Sequence, residues 1–598
     1  MKSLRYGLMA TTIAIYLLVV MGNVVRVSDA ALACPDWPTC FGQFAFPAAV
    51  EARIQVVHRG LAVLAALMVM AAAWAARRRE TVQIIRVPLM AAVPLMLVQA
   101  LLGGVLVGVG APALLAAIHL GLALIVLALL TLATTAAYGL WTPVVDHAAR
   151  WNDRLTFRAP FARLAVASTA AVFLVLVSGA VVTASGSGQV CSGWPLCAGG
   201  WPVETQGWLQ LAHRALTGTA TLLVTLVFIR AWQTQRSQRV ILTAATAVFV
   251  LFAGQVLIGA AKVTRSFPAD LVGLHAVSAA ALWAVLAVLV TAVGLAGRTV
   301  ADETAEAASI PGAGQRARDF LRLNKPIIVL LLLVTTYAGM VVGAKQLPSG
   351  TLALWTMLGG ALAAGGASAL NQYIDRELDK NMQRTASRPL PAGRMTAAEG
   401  LAYGVGACLA AFTLLAVFVN LLTALLSLVG MIYYVLLYSI WLKKLTVQNI
   451  VIGGGAGAIP PLVGWAAATG SLNVPALFLF AIVFLWTPPH FWALALVRRA
   501  DYAHAGVPML PVVRGEQETR RQILIYTIEL VALTLLMPVF QITGSLFLGA
   551  ALLLGAWLLS TAWRVFKQGG NKAAWLMYRY SSMYLAFLFL ALVLDVLI

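Results

Sequence analysis

Long apolar runs recur along the whole chain, and short polar stretches separate them. Each run is long enough to cross a bilayer as a helix, which takes about 20 residues. The runs are also far longer than the alternating segments of a transmembrane barrel, which excludes that fold. We count eight predicted spans before residue 298 and nine after it. The pattern therefore predicts an all-α polytopic membrane protein with two helical bundles.

The basic residues follow a membrane topology, although a net charge of +20 would by itself also suit a nucleic-acid partner. They lie in short loops at alternate ends of the spans, as the positive-inside rule expects. We therefore predict a multi-pass protein of the cell (inner or cytoplasmic) membrane with a cytoplasmic N-terminus, an extracytoplasmic C-terminus and no nucleic-acid partner. In that orientation, all but seven of the 41 Lys and Arg residues are cytoplasmic, the exceptions being Arg26, Arg53, Arg59, Arg214, Lys262, Arg265 and Lys345.

The first domain, residues 1–297, contains an internal repeat. Gly22 to Cys40 aligns with Gly179 to Cys197 at a constant offset of 157 residues, and matching residues continue through both halves. The N-terminus resembles a signal peptide, but the same pattern returns inside the chain, so we predict that it stays as a span. The repeat predicts a pseudo-twofold pair of four-helix bundles, residues 1–140 and 160–297, with both halves starting on the same side.

Each half carries one pair of cysteines in a predicted extracytoplasmic loop. Cys34 and Cys40 form one pair, and Cys191 and Cys197 form the other. That compartment permits disulfides, and both bridges are sterically plausible at this spacing. Metal binding is the alternative interpretation, and a redox role for one pair stays open.

Four of the seven histidines occupy repeat-equivalent positions near the outer ends of even-numbered spans: His58, His119, His213 and His275. A lone intramembrane histidine is usually a packing residue, but imidazole pairs on facing helices are the usual axial ligands of membrane haem. We therefore predict one haem site in each half, formed by that half's own pair. Arg59 and Arg214 directly follow a histidine and could bind haem propionates or anchor the chain at the membrane interface.

With these residues, positions 1–297 resemble the haem A synthases. The resemblance implies that one histidine pair holds a cofactor haem b, and that the other site receives haem O for oxidation of a ring methyl to a formyl group. By analogy, His213 and His275 would hold the cofactor, and the cavity of His58 and His119 would hold the substrate. Many members of that family carry Glu three residues before the first histidine, where this chain has Gln55.

A polar segment, residues 298–323, is predicted to be a cytoplasmic linker to the second domain, residues 324–598. Within that domain, Asn371, Asp375 and Asp379 recur every four residues, so on a helix they share one face. Three oxygen ligands on one face suit Mg²⁺. A second cytoplasmic cluster contains Asp501. Carboxylates at helix ends fit a metal-bridged diphosphate better than the mid-membrane ion site of a transporter.

Several stretches of the second domain match the UbiA-type prenyltransferases and, more closely, their haem O synthase branch. They are residues 388–393, 449–454, 460–465, 487–492 and 501–511. The resemblance implies a nine-helix UbiA-type bundle that transfers farnesyl from farnesyl diphosphate to haem B, giving haem O. The implied Mg²⁺ ligands are Asn371, Asp375, Asp379 and Asp501. Candidates for the diphosphate, on charge and location, are Lys380, Arg384, Arg388, Lys443 and Lys444. His490 is either a haem or catalytic contact or a packing residue.

The two resemblances together indicate a bifunctional enzyme of haem A biosynthesis. It would use haem b and Mg²⁺ as cofactors and haem B, farnesyl diphosphate and haem O as substrates, within the lipid bilayer. Assembly factors of terminal oxidases are partner candidates, and the sequence does not identify the electron donor. One alternative is a dihaem electron-transfer module fused to a quinone-type aromatic prenyltransferase. A second is a non-enzymatic haem transporter or sensor.

Overall fold

The computed structural model describes residues 2–79, 81–139, 155–198, 200–297 and 312–598. The chain forms two compact units, Met1–Ala307 and Ala308–Ile598. Across the described ranges the regular elements are helices, and 17 of them are long and apolar enough to cross a membrane. Eight of these lie in the first unit and nine in the second. The structure thus confirms the all-α polytopic fold that the apolar runs predict.

The first unit consists of two four-helix bundles. In each bundle the successive helices pack against one another, and the first helix also packs against the fourth. The two bundles meet through the first and fourth helices of each half. The helices are α1 (Lys2–Val27), α2 (Val50–Arg78), α3 (Gln83–Gly108), α4 (Ala113–Gly139), α5 (Pro160–Ala184), α6 (Thr205–Thr234), α7 (Arg239–Thr264) and α8 (Ala269–Ala296).

The second unit begins with a short helix, α9 (Ala313–Leu323), where the sequence analysis predicts a linker. That prediction is wrong for residues 313–323, because α9 is amphipathic and folds onto the second unit. Its Leu323 is fully buried. Its Asp319 carboxylate accepts a hydrogen bond from Arg394 at 3.0 Å, and its Arg316 pairs with Glu399 at 3.0 Å. The rest of the predicted linker, residues 298–311, lies outside the described residues.

The remaining helices of the second unit pack mainly against their neighbours in sequence, and α10 also packs against α15 and α21. A side chain at Gly464 would collide with the backbone of α10, so this glycine allows α10 and α15 to approach closely. The helices are α10 (Pro326–Ala344), α11 (Gly350–Lys380), α12 (Ala397–Phe418), α13 (Leu421–Ile432), α14 (Lys443–Leu445), α15 (Asn449–Thr469), α16 (Val474–Val497), α17 (Arg499–His504), α18 (Leu510–Val513), α19 (Gly515–Val539), α20 (Ser545–Gln568) and α21 (Gly570–Leu597).

A π-helical segment, Tyr433–Leu442, joins α13 to α14. Such segments are rare and are frequent at functional sites, because the wider turn shifts the side chains that follow it. Here the segment buries Ser439 and leads directly to Lys443. It therefore helps to position one serine and one lysine beside α11.

Candidate functional sites

The predicted face of α11 exists and is buried. Asn371, Asp375 and Asp379 lie in its last three turns, and the structure exposes 4%, 1% and 2% of them. Two buried carboxylates one turn apart repel each other and lose hydration, so each needs a partner of opposite charge. The structure supplies these partners from three separate segments.

A cation contacts each of the three side chains. The Lys443 ammonium lies 2.6 Å from Asp375 Oδ2, and Arg388 Nη1 lies 2.6 Å from Asp379 Oδ2. Lys325 Nζ donates to Asn371 Oδ1 at 3.0 Å. We call these six side chains the polar face of the second unit. It joins two carboxylates to three cations, so it can accept an anionic ligand together with a divalent metal.

Lys325 is a site residue that the sequence analysis missed. It immediately precedes α10 with a positive φ of 48°, a backbone conformation that non-glycine residues rarely adopt. Burial, together with the charges of Arg388 and Lys443, lowers the pKa of Lys325 to about 7. The sequence contains one signal for it, since Lys325 and Pro326 stand at the start of the first span of the second unit. Only the fold, however, brings that lysine to α11.

The residues of the polar face fit Mg²⁺. Asp375 Oδ1 is buried and has no hydrogen-bond partner, so it keeps a free acceptor. Asn371 Nδ2 donates both to Asp375 Oδ2 at 2.8 Å and to Ser439 Oγ at 3.0 Å, which fixes the amide beside that carboxylate. The described residues contain no group of three or more His, Cys, Asp or Glu side chains arranged for a metal. A metal here would therefore need oxygens from its ligand as well, as Mg²⁺ often takes from phosphates.

A tyrosine lies near both the polar face and the second polar cluster, the one that contains Asp501. Tyr438 of the π-helical segment is buried within electrostatic range of Asp375, and also of Tyr502 and Arg384. Gly453 of α15 makes room for the Tyr438 ring, because a side chain at this glycine would collide with it. Tyr438 is therefore near both Asp375 of the polar face and Tyr502 of the second cluster.

Other predicted diphosphate and metal residues are placed differently. Asp501 is half-buried on α17, and its carboxylate lies 3.8 Å from Arg498. Lys380 is half-exposed and pairs with Glu377 at 2.8 Å, and neither of these side chains is buried with the polar face. The side chain of Lys444 lies outside what the structure describes. Of the five predicted cations, Arg388 and Lys443 belong to the polar face, and Arg384 lies within electrostatic range of Tyr438.

His490 is buried in α16 between two aromatic rings. Its ring stacks on Trp486 at 4.3 Å and on Tyr578 at 4.5 Å between centroids. Its Nδ1 lies 2.8 Å from Ser581 Oγ, and that hydroxyl donates to Tyr578 O. Nδ1–H is therefore the donor to the serine, which leaves Nε2 with its lone pair. This geometry is compatible with a packing role and with a contact between Nε2 and a bound substrate.

The four repeated histidines of the first unit share one packing arrangement. Each lies on an even-numbered helix, and its ring faces a glycine of the preceding helix. A Cβ added at that glycine would lie 3.1–3.5 Å from the histidine Cε1. The pairs are Gly22 with His58, Gly103 with His119, Gly179 with His213 and Gly259 with His275. Each ring thus lies against the backbone of the preceding helix, and the fit is tightest at Gly22 and Gly179, where an added Cβ would require the ring to shift slightly.

His213 and His275 line one cavity of about 500 Å³, a size typical of cofactor sites. Its wall is mostly apolar and includes Arg26, Arg214 and Lys262. His213 Nδ1 lies 2.8 Å from Ser178 Oγ, whose hydroxyl donates to Val175 O. Nδ1–H is therefore a donor, and Nε2 remains available to a metal, as expected of haem-ligating histidines. These residues fit an axially ligated haem.

The residues just before and after His58 and His213 hold the cysteine loops. Both predicted disulfides are present, Cys34–Cys40 and Cys191–Cys197. Gln55 accepts from Cys34 N at 2.7 Å and donates to Ala31 O at 2.7 Å. Gln210 repeats both bonds with Cys191 N and Gly188 O, each at 3.0 Å. Gln55 therefore holds the first cysteine loop in the same way as Gln210 holds the second.

Arg59 and Arg214 bind the same loops. Arg59 donates to the carbonyls of Asp36, Pro38 and Thr39. Arg214 donates to Pro195 O at 3.0 Å and Cys191 O at 3.2 Å. Each guanidinium is thus already engaged by loop carbonyls, although Arg59 Nη2 is buried without a partner. The loops and the histidines are therefore held together by adjacent positions of α2 and α6.

Protein-family models match parts of both units, and the match is much longer in the second unit. The model of the UbiA prenyltransferase family matches residues 332–591. A model described as "Cytochrome oxidase assembly protein" matches residues 5–53. The first match covers most of the second unit, whereas the second covers α1 and the first cysteine loop.

Three relatives carry the name "Protoheme IX farnesyltransferase". The Roseiflexus sp. (strain RS-1) protein is 42% identical over 541 residues, which are 87% of this chain and 99% of that protein. The Chloroflexus aurantiacus protein is 37% identical over 97% of this chain and 96% of its own length. The Symbiobacterium thermophilum protein is 48% identical over 286 residues. Those residues are 48% of this chain and 96% of that protein. The name therefore applies both to relatives of full length and to relatives of about half that length. On the extent and identity of the full-length matches, this chain belongs to the protohaem IX farnesyltransferase family.

Proposed function

We propose that the second unit transfers farnesyl from farnesyl diphosphate to haem B, giving haem O. The observation that carries this proposal is the polar face, where two buried carboxylates and an amide lie among three cations at one end of an apolar helical bundle. The family membership and the UbiA match over residues 332–591 support the same reaction. The apolar helices beyond the polar face provide an environment for an isoprenoid chain.

The cations of the polar face would bind the diphosphate leaving group. When the allylic C–O bond of farnesyl diphosphate breaks, its electron pair goes to the diphosphate. Lys325, Arg388 and Lys443 would bind that growing negative charge inside a low-dielectric site, where each contact is worth more than in water. Asn371, Asp375 and Asp379, with Asp501 as a further candidate, would hold Mg²⁺. The metal would neutralise the diphosphate and so make it a better leaving group.

Aromatic side chains would stabilise the farnesyl fragment. An allylic cation left by the departing diphosphate is stabilised by the faces of nearby rings. Tyr438 lies within electrostatic range of Asp375 and of Tyr502, so these two rings are our candidates for that contact. His490, with Nε2 carrying a lone pair, is our candidate for contact with the haem acceptor.

We propose further that the first domain, residues 1–297, oxidises a ring methyl of haem O to a formyl group, giving haem A. His213 and His275 would hold a resident haem b, and the site of His58 and His119 would receive haem O. The resident haem would supply redox chemistry. The cavity of about 500 Å³, the free Nε2 of His213 and the glycines behind each ring support this assignment. The match of residues 5–53 to a cytochrome oxidase assembly protein agrees with it.

The proposed setting follows the charge distribution. We place the chain in the cell membrane with the N-terminus and the polar face on the cytoplasmic side. The cysteine loops would then be extracytoplasmic, where both disulfides can persist.

The transferase proposal is tested with membranes that contain the full-length chain, labelled farnesyl diphosphate and Mg²⁺. Two acceptors are supplied separately, haem B and an aromatic acid of the kind that quinone-forming prenyltransferases use. We expect label in the haem fraction only, and its loss when Mg²⁺ is chelated. Label in the aromatic acid instead would overturn the proposal.

A further inference from the structure

The His213–His275 cavity carries three cations and no anion. Arg26, Arg214 and Lys262 line it, while none of the residues lining it is an Asp or Glu. An uncompensated charge beside an apolar cavity is costly, and that cost is recovered when an anion binds. The cavity is therefore built for a ligand that is mostly apolar and carries negative groups at one side.

Two of the three cations are free to bind such groups. Arg214 is engaged by two carbonyls of the cysteine loop. The side chains of Arg26 and Lys262, by contrast, have no hydrogen bond or ion pair with another described residue, and the ammonium of Lys262 lies 5.7 Å from the centre of the Phe267 ring. Both lie in the last turn of their helices, α1 and α7.

An ordinary explanation exists for a cation in the last turn of a helix. It interacts favourably with the helix dipole, and in membrane proteins it anchors the helix end at the interface. Neither effect requires the side chain to line a cavity that holds two histidines. Nor does either effect explain why two helices from different halves of the repeat direct cations to the same cavity.

The repeat provides an internal comparison. The positions equivalent to Arg26 and Lys262 are Thr183 and Leu106, and neither is charged. The support of the histidines differs in the same direction. Ser178, which binds His213, corresponds to Met21, and Ser278, which Gln255 contacts beside His275, corresponds to Leu122. At Lys262, Ser178 and Ser278 the second half therefore carries a polar side chain where the first half is apolar, whereas Arg26 reaches the same cavity from the first half.

We propose that Arg26 and Lys262 bind the carboxylates of the tetrapyrrole held by His213 and His275. This inference rests on the proposed haem site of the first unit. Arg26 comes from the first half of the repeat and serves the cavity of the second, so the resident haem binds both halves together. The His58–His119 site, which lacks both cations at the equivalent positions, holds its tetrapyrrole less firmly, as suits a substrate that must leave.

The test measures binding of haem b to the full-length chain by absorbance. Only the part of the signal that His213→Ala abolishes is assigned to this site. The probes are haem b and its dimethyl ester, which has the same ring but no carboxylate. The variants are Arg26→Gln, Lys262→Gln and Lys262→Arg. Arg265→Gln is the matched control, because Arg265 is exposed near the end of α7 and does not line the cavity.

We expect wild type and Arg265→Gln to bind haem b at least tenfold more tightly than the ester. Arg26→Gln and Lys262→Gln should each weaken haem b binding about tenfold, leave ester binding unchanged and lower the haem midpoint potential. Lys262→Arg should restore the preference for haem b, which separates loss of charge from misfolding. If both Gln variants keep the wild-type preference while His213→Ala still removes the signal, the carboxylate contacts are refuted and the haem site stands. If His213→Ala changes nothing, the haem site itself is refuted.

Discussion

The two units handle buried charge in opposite ways. In the second unit all four buried acids, Asp319, Asp375, Asp379 and Glu399, pair with a lysine or arginine. Among the described residues of the first unit no acid is buried, yet cations line its cavity. Carboxylates that are already paired with cations can exchange those partners when a metal and a diphosphate arrive together. An unbalanced set instead needs an anionic ligand that stays. The difference indicates two binding sites for chemically different ligands, and the predictions below test it.

The largest effect should come from Asp375. Replacing it with Asn removes a proposed metal ligand and leaves the Lys443 ammonium without its partner at 2.6 Å. We expect farnesyl transfer to haem B to fall by at least about a hundredfold, measured as labelled haem O. Asp319→Asn also breaks a buried pair, with Arg394, but neither residue of that pair is one of the six side chains of the polar face. It should lower stability by about 3 kcal/mol while the folded fraction keeps its activity. Equal losses in both variants would contradict a special role for Asp375.

Removing a histidine of the first unit should separate the two reactions. His213→Ala and His275→Ala should each abolish oxidation, so that haem O accumulates, because each removes an imidazole that would hold the resident haem. Farnesyl transfer should keep its wild-type rate. His504→Ala is the control, since His504 is exposed at the end of α17. Chromatography of extracted haems measures all three. Haem A from His213→Ala would refute the assignment.

A smaller effect is expected at Lys325. Lys325→Met removes one cation from Asn371 and from the diphosphate site, so kcat/KM for farnesyl diphosphate should fall about ten- to a hundredfold. Lys345 provides the matched control, because it ends the same helix α10 with the same left-handed backbone and is exposed. Lys345→Met should leave kcat/KM unchanged. An unchanged value in Lys325→Met would remove this lysine from the site.

The smallest effect concerns the cysteine loops. In Gln55→Glu the carboxylate can still accept from Cys34 N but cannot donate to Ala31 O. We expect a loss of about 1–2 kcal/mol in the free energy of unfolding, seen as a lower midpoint in thermal unfolding. Gln210→Glu should behave alike, because Gln210 makes the same two bonds. A stable Gln55→Glu protein beside an unstable Gln210→Glu protein would show that the two loops are not equivalent.

The sequence predicts the fold well because span length is a direct consequence of bilayer thickness. It also predicts the face of α11, since a period of four residues on a helix places side chains together. It fails where a site depends on contacts between distant segments. Lys325 lies 46 residues from Asn371 in the sequence, and nothing local connects them. Arg26 and Lys262 are visible only as two of seven exceptions to the charge rule, and the fold brings both to one cavity.

The sequence also underestimates local order near charged residues. Residues 313–323 are polar enough to suggest a linker, but their apolar side chains recur on one face, and Asp319 and Arg316 have partners on the second unit. Gln55 looks like a lost carboxylate only when it is compared with the haem A synthases. Its two hydrogen bonds show that an amide is what the loop requires, because it needs one donor and one acceptor.

The central claim, that one chain carries out both steps, is tested most directly in a host that lacks both activities. The haems extracted from cells that produce the full-length chain are separated by chromatography, beside cells that produce Asp375→Asn and His213→Ala. We predict haem A from the unchanged chain, haem O alone from His213→Ala, and haem B alone from Asp375→Asn. Haem B alone from the unchanged, membrane-inserted chain would contradict both steps, and haem O alone would contradict the oxidation by the first unit.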